Sequence, residues 1–110
     1  MCRALRVLCV ASDDRALAEL QRATVAAEWE LTRGATTDVD ALTIVDRERP
    51  HALVAFGAFE GLVELVRERS PAMRIVTDRA AAGASAVVGS PDEVRETLRV
   101  LARPGGPVRR

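Results

Sequence analysis

Lysine and tyrosine are absent from the 110-residue chain, so all 16 basic side chains are arginines. Chemistry that requires a lysine amine or a phenol is thereby excluded. Histidine occurs once, at His51, and cysteine twice, at Cys2 and Cys9. Two thiols so placed suggest neither a disulfide framework nor a metal site, and Cys9, inside an apolar run, reads as a packed core thiol. An excess of either charge is also missing: 16 acidic residues balance the arginines. No overall field draws the molecule toward nucleic acid or anionic lipid, so direct nucleic-acid binding is not expected. The apolar run at residues 7–11 is far too short to cross a bilayer and lacks the flanks of a signal peptide. The expectation is a cytoplasmic protein with no membrane contact.

What remains suits one compact domain. Hydrophobic residues make up 48% of the chain, and a chain of this length buries roughly two-thirds of its unfolded surface. Short β-rich runs alternate with helical stretches, the pattern of an open, mostly parallel α/β sheet. Residues 5–11 form the first strand. Ser12 is placed to cap the next helix, with Asp13 and Asp14 in its favourable first turn. Leu17, Leu20, Thr24 and Ala27 make that helix's inward side. Residues 29–35 read as a second strand, with Trp29 a packing residue in its default reading and partly exposed at a sheet edge in the other. Thr37 caps a second helix whose Val39, Leu42 and Val45 face inward, and Pro50 stops it.

Residues 51–57 contain the most continuously apolar strand, expected at the centre with both sides covered. Phe59, Leu62, Val63 and Val66 line a third helix ending near Ser70. Residues 72–77 and 84–89 are the fourth and fifth strands. Ser90, Pro91 and Glu93 make a strong helix start of the capping-box kind, and Val94, Leu98 and Leu101 bury that last helix. The domain is drawn as residues 1–102, with 103–110 a flexible tail or the start of a linker.

One connection is abnormally short. Only residues 78–83 separate the fourth and fifth strands, where a helical crossover takes about a dozen residues or more. No helix fits. A return of about 17 Å along a five-residue strand lies just within the roughly 20 Å reach of six extended residues. A parallel fifth strand by an extended crossover and an antiparallel one both remain open. Either leaves one side of the last two strands without a lid.

Three motifs in order resemble the receiver domains of response regulators. They are Arg6-Val7-Leu8-Cys9-Val10 before acidic residues, Asp40-Ala41-Leu42 with Arg49-Pro50-His51-Ala52-Leu53-Val54, and Gly83-Ala84-Ser85-Ala86-Val87-Val88-Gly89-Ser90-Pro91. The resemblance spans nearly the whole chain. It implies a single flavodoxin-like sheet of order 2-1-3-4-5 with its site at the carboxyl ends of the strands, here with the fourth helix missing. Receivers phosphorylate an aspartate after the third strand, hold Mg²⁺ with an acidic pair, and read the phosphate with a hydroxyl and a lysine. On this chain the resemblance carries the acceptor position onto Phe56 and the acidic pair onto Ala11 and Ser12, with Asp13 next. The hydroxyl falls on Thr77, the lysine on Ser90, and the fifth-strand aromatic on Val87. The site is therefore expected to be degenerate: a pseudo-receiver, with no metal or other cofactor and no catalysis.

Each candidate also has a plainer reading. Asp13 and Asp14 serve the helix dipole, Thr77 is a strand-end hydroxyl, and His51 has a surface or helix-end role away from the site. Gly57-Ala58-Phe59-Glu60-Gly61 follows a strand but lacks dinucleotide-loop spacing and any lysine. Phe56 and Phe59 read as core. Arg67, Arg69, Arg74 and Arg79 are interleaved with Glu64 and Glu68, a solvated mixed face.

The leading expectation is a regulatory domain acting by protein contact, independently of phosphorylation. Its surface would be the uncovered sheet beside Arg74, Val76, Ala86 and Val88, or the side lined by Met73, Ile75 and Val87, buried in a homodimer. The resemblance further implies control of an attached or partner ATPase or transcription-regulator domain, the chain then being an N-terminal piece. The alternatives are a nucleotide or anion sensor at the carboxyl edge using backbone amides and Thr77, and a true phosphoacceptor at Asp13 or Asp78.

Overall fold

A computed structural model describes residues 5–102 of the chain. The residues 103–110 expected as a tail, and Cys2, lie outside the described residues. Five strands and four helices alternate: β1 (Leu5–Val10), α1 (Asp14–Thr24), β2 (Trp29–Leu31), α2 (Asp38–Glu48), β3 (Ala52–Ala55), α3 (Glu60–Arg69), β4 (Arg74–Thr77), β5 (Ala86–Val87), a 3-10 turn (Pro91–Glu93) and α4 (Val94–Ala102). The sheet order is β2-β1-β3-β4-β5, with every pair parallel. That is the flavodoxin-like order, and no helix stands between β4 and β5.

Period-two alternation divides the core. Leu8, Val10, Leu53, Ala55 and Ile75 point to one side and meet Ile44, Val45, Leu62, Val63 and Val66 of α2 and α3. Val7, Cys9, Ala52, Val54 and Val76 point to the other and meet Leu20, Val94 and Leu98 of α1 and α4. Where β1 and β3 are covered on both sides they are apolar at every position: Val7 to Val10 of β1 and all four residues of β3 are buried, while Leu5 and Arg6 at the start of β1 are half-buried.

Several local expectations shift. Asp13, not Ser12, caps α1: its backbone is extended and its carboxylate accepts the Ala16 N–H at 2.8 Å. The helix ends at Thr24, so Ala27 lies beyond it and is exposed. In α2 the inward residues are Ala41, Ile44 and Val45, while Val39 is 73% exposed. Val39, Leu42 and Val45 recur every three residues and drift around a 3.6-residue turn, leaving Val39 roughly 160° from Ala41. Thr37 does cap α2, accepting the Asp40 N–H at 3.2 Å. Strand β2 is three residues long, with Ala35 rejoining the sheet through one bridge to Val10.

Trp29 is buried, in keeping with its default reading as a packing residue. Its indole N–H donates to Thr24 O at 2.8 Å, and the Arg99 guanidinium lies 6.0 Å from its ring centroid. Arg99 also donates to Glu28 at 2.7 Å, and Arg95 to Ala23 O at 3.1 Å. These bonds fasten α4 over the edge of the sheet. Ser90 precedes the 3-10 turn without capping it, and Glu93 reaches back to the Gly89 N–H at 2.8 Å, one residue earlier than a capping box would place it.

The short crossover works because β5 returns only part of the way. Ala86 pairs with Val76 and Val87 with Thr77, a return of about 7 Å at the usual rise. Gly83 at φ 96° lets the chain pass against the methylenes of Arg67, where a Cβ would meet Arg67 Cγ at 3.4 Å. Ala81 packs onto the α2/α3 core cluster. The crossover thus covers part of the surface a helix would otherwise occupy. Met73 and Ile75 are buried on that side, and Val76 and Val88 are buried on the other in the cluster with Leu20 of α1 and Val94 and Leu98 of α4, against the expectation of an uncovered apolar face. Arg74 and Val87 remain exposed and Ala86 half-buried.

Candidate functional site

Parallel register sets the carboxyl edge. Val10 stands beside Ala55 and Ala55 beside Thr77, so the residues that follow emerge together: Ala11 and Ser12, Phe56 and Gly57, Asp78 and Arg79. Ala11 is fully buried and donates its N–H to Ala35 O at 3.2 Å. Phe56 is half-buried, packed on the α1/α4 side, with its N–H on Val10 O at 2.9 Å. Phe59 packs on the opposite side. The residue following β3 is therefore an apolar side chain with no nucleophile.

The edge is stitched by its own polar groups. Gly57 N donates to Asp78 Oδ1 at 3.0 Å. The same oxygen lies 3.3 Å from Arg79 Nε. Thr77, almost wholly buried, donates its hydroxyl to Arg79 O at 2.6 Å. Gly57 has φ 125°, a backbone region that side chains resist, and a Cβ there would stand 2.7 Å from Ser12 Oγ and 3.1 Å from the Phe59 ring. Ser12 and Phe59 thus close over the glycine. The space among Gly57, Phe59, Thr77, Arg79 and Ala81 admits no water-sized body.

The sequence-derived site residues divide accordingly. Ala11, Ser12, Phe56 and Thr77 do share one edge. Asp13 is turned to its own helix as a cap, and Asp14 follows it as the first helical residue. Ser90 lies beyond β5 at the start of the 3-10 turn, where its side chain makes no capping bond. Among the described residues, no group of three or more His, Cys, Asp or Glu side chains could hold a metal ion. Phosphoryl transfer wants a carboxylate nucleophile, oxygen ligands for a metal and a cation facing the transferred oxygens. Here the inward carboxylate, Asp78, is committed to an amide and a guanidinium.

The Asp78–Gly57 bond is the feature that sequence reading missed. The sequence offers Asp78 as an alternative phosphoacceptor, and nothing in the spacing between residues 57 and 78 announces that they meet. At the opposite edge, His51 takes the expected surface position: its N–H donates to Arg6 O at 2.8 Å, and its Nδ1 accepts the Arg6 N–H at 3.0 Å. Burial pushes the Cys9 thiol up to about 12, slightly opposed by its bond with the Thr24 side chain. Cys9 is an unreactive core residue.

Sequence comparison finds no matching family model and no matching curated protein. Structural comparison does find relatives of the fold. A CheY-like response regulator receiver domain protein from Methanospirillum hungatei superposes with a TM-score of 0.73 at 19% identity, over 88% of this chain and 92% of that one. The signal receiver domain of an HD domain-containing protein from Pseudomonas fluorescens gives 0.70 at 16%, over 88% and 90%. An orphan response regulator of H. pylori gives 0.72 at 11%, over 90% and 97%. At these identities the likeness is one of fold.

Proposed function

We propose that the chain is a pseudo-receiver, a non-catalytic regulatory domain that acts through protein contact without phosphoryl transfer. The observation that carries this reading is the Asp78 carboxylate on the Gly57 N–H. An amide at the end of the central strand of such a fold is where an incoming anion would be received, and here a side chain of the protein itself fills that role. Phe56 supplies no acceptor oxygen, and the chain has no lysine to read a phosphate. A nucleotide or anion bound at this edge is disfavoured for the same reason, because the Thr77 hydroxyl and the Gly57 N–H are both engaged.

The contact we propose is a homodimer through the outer edge of β5, coupled to an attached or partner ATPase or transcription-regulator domain. Among the described residues β5 is the terminal strand, with its outer backbone edge unpaired within the sheet, a template for association, and its Val87 is 53% exposed. Incubation of the full chain with acetyl phosphate and Mg²⁺, followed by intact mass measurement, tests the switch. An unchanged mass is expected. A phosphate adduct overturns the reading.

A further inference from the structure

The room missing at the carboxyl edge is found at the amino edge. Helix α2 ends at Glu48, its capping residue Arg49 lies in the left-handed region at φ 52°, and Pro50 follows. Helix α3 ends before Ser70 and Pro71. Neither proline can continue a helix, and the chain passes from Pro50 through His51 into β3 and from Pro71 through Ala72 and Met73 into β4. Between these loops and the last turn of α4 lies a groove of about 490 Å³. That volume falls within the roughly 300–1,000 Å³ common for small-molecule sites.

The groove has two chemical parts. Its floor is apolar, with Trp29, Ala52, Met73 and Leu98. Its polar rim carries Arg49, His51 and Arg74, and among the described residues no carboxylate lines it. Arg74 is held in place by donating Nε to Leu101 O at 3.0 Å and Nη1 to Ala72 O at 3.3 Å, which leaves Nη2 for another acceptor. His51 accepts through Nδ1, so its neutral ring carries the proton on Nε2. Three donors of cationic or N–H type around an apolar floor complement one kind of occupant.

We propose that this groove binds a small amphiphilic carboxylate, its medium-length alkyl chain seated against Trp29 and Ala52 and its carboxylate received by Arg49 and Arg74. The complementarity is that of apolar area to the chain and of unopposed positive charge to the head. The site is remote from the Asp78 edge and independent of the contact proposed for β5.

Trp29 is the sole tryptophan, so its fluorescence reports the floor directly. The full chain is titrated with decanoate below its micelle concentration, with decylammonium and decanol at equal concentrations, and with a bromine-tipped decanoate as a contact quencher. Saturable decanoate binding with quenching by the brominated chain is expected, decanol weaker and decylammonium absent. Arg49→Gln, an exposed position, should weaken decanoate roughly three- to tenfold, and Ala72→Trp, also exposed, should block the groove while circular dichroism shows both variants folded. Absence of saturable binding, equal binding of the cation, or indifference to both substitutions overturns the proposal. So does a Trp29 signal that follows protein concentration alone, which would assign the groove to a second copy.

Discussion

Asp78 Oδ1 lies 3.0 Å from the backbone nitrogen of Gly57, joining the residue after β4 to the loop after β3 across 21 positions of sequence. The bond closes the edge at which an open parallel sheet ordinarily receives ligands.

Removing the acceptor should leave that N–H without a partner. Asp78 is only partly exposed, so Asp78→Ala is expected to cost about 1 kcal/mol of stability. Asp78→Asn keeps a carbonyl acceptor and should recover part of it. Chemical denaturation of the three proteins measures both.

Gly57 and Gly61 make an internal contrast. Gly57→Ala places a Cβ at φ 125°, 2.7 Å from Ser12 Oγ, and should destabilise by about 1–3 kcal/mol. Gly61 is in α3 with nothing within 4 Å of the added carbon, so Gly61→Ala should be neutral or stabilising by up to about 1 kcal/mol. Adding Ser12→Ala to Gly57→Ala relieves the contact with Ser12 Oγ, and a double-mutant cycle on melting separates that share from the Phe59 contact and the backbone strain that remain.

Cys9 provides a pH dependence. Its thiol rises from an ordinary value of 9.0 to about 12 because burial opposes the thiolate. Above about pH 9 the unfolded chain loses a proton that the folded chain keeps, so stability falls as pH rises through that window. The loss is about 1 kcal/mol one unit above the free thiol's value. A Cys2→Ser protein should show this loss, and adding Cys9→Ala should remove it. In the Cys2→Ser protein at neutral pH, a small thiol reagent should label Cys9 only after denaturation.

The β5 contact can be tested without touching the core. Val87 is 53% exposed, so Val87→Asp should leave the melting of the fold unchanged and convert a dimer to a monomer in light scattering. A wild-type chain that stays strictly monomeric at high micromolar concentration removes the dimer from the proposal.

Local sequence carried most of the architecture. The continuous apolar runs at residues 7–11 and 52–55, the Thr37 cap, Pro50, and Phe59-to-Val66 spacing all act within a few residues of chain. Each expected element has a counterpart in the structure. Errors arose where neighbours distant in sequence decide. Local sequence leaves Trp29 between packing and a sheet edge until α4, about 70 residues later, lays Leu98 and Arg99 over it. Met73 and Ile75 read as uncovered until Ala81 and the crossover fold onto the same core.

The amino-acid sequence by itself determined the parallel α/β framework, because hydrophobic period and capping are short-range, and it excluded lysine chemistry by composition. The direction of β5 was decided only by the tertiary structure. Antiparallel pairing was equally within reach of the short connection, and the parallel form stands because β5 opposes only Val76 and Thr77 while Gly83 bends against Arg67. The closure of the carboxyl edge was likewise tertiary. A hydrogen bond between Asp78 and Gly57 exists only once two strands are side by side, and no spacing along a chain encodes that distance.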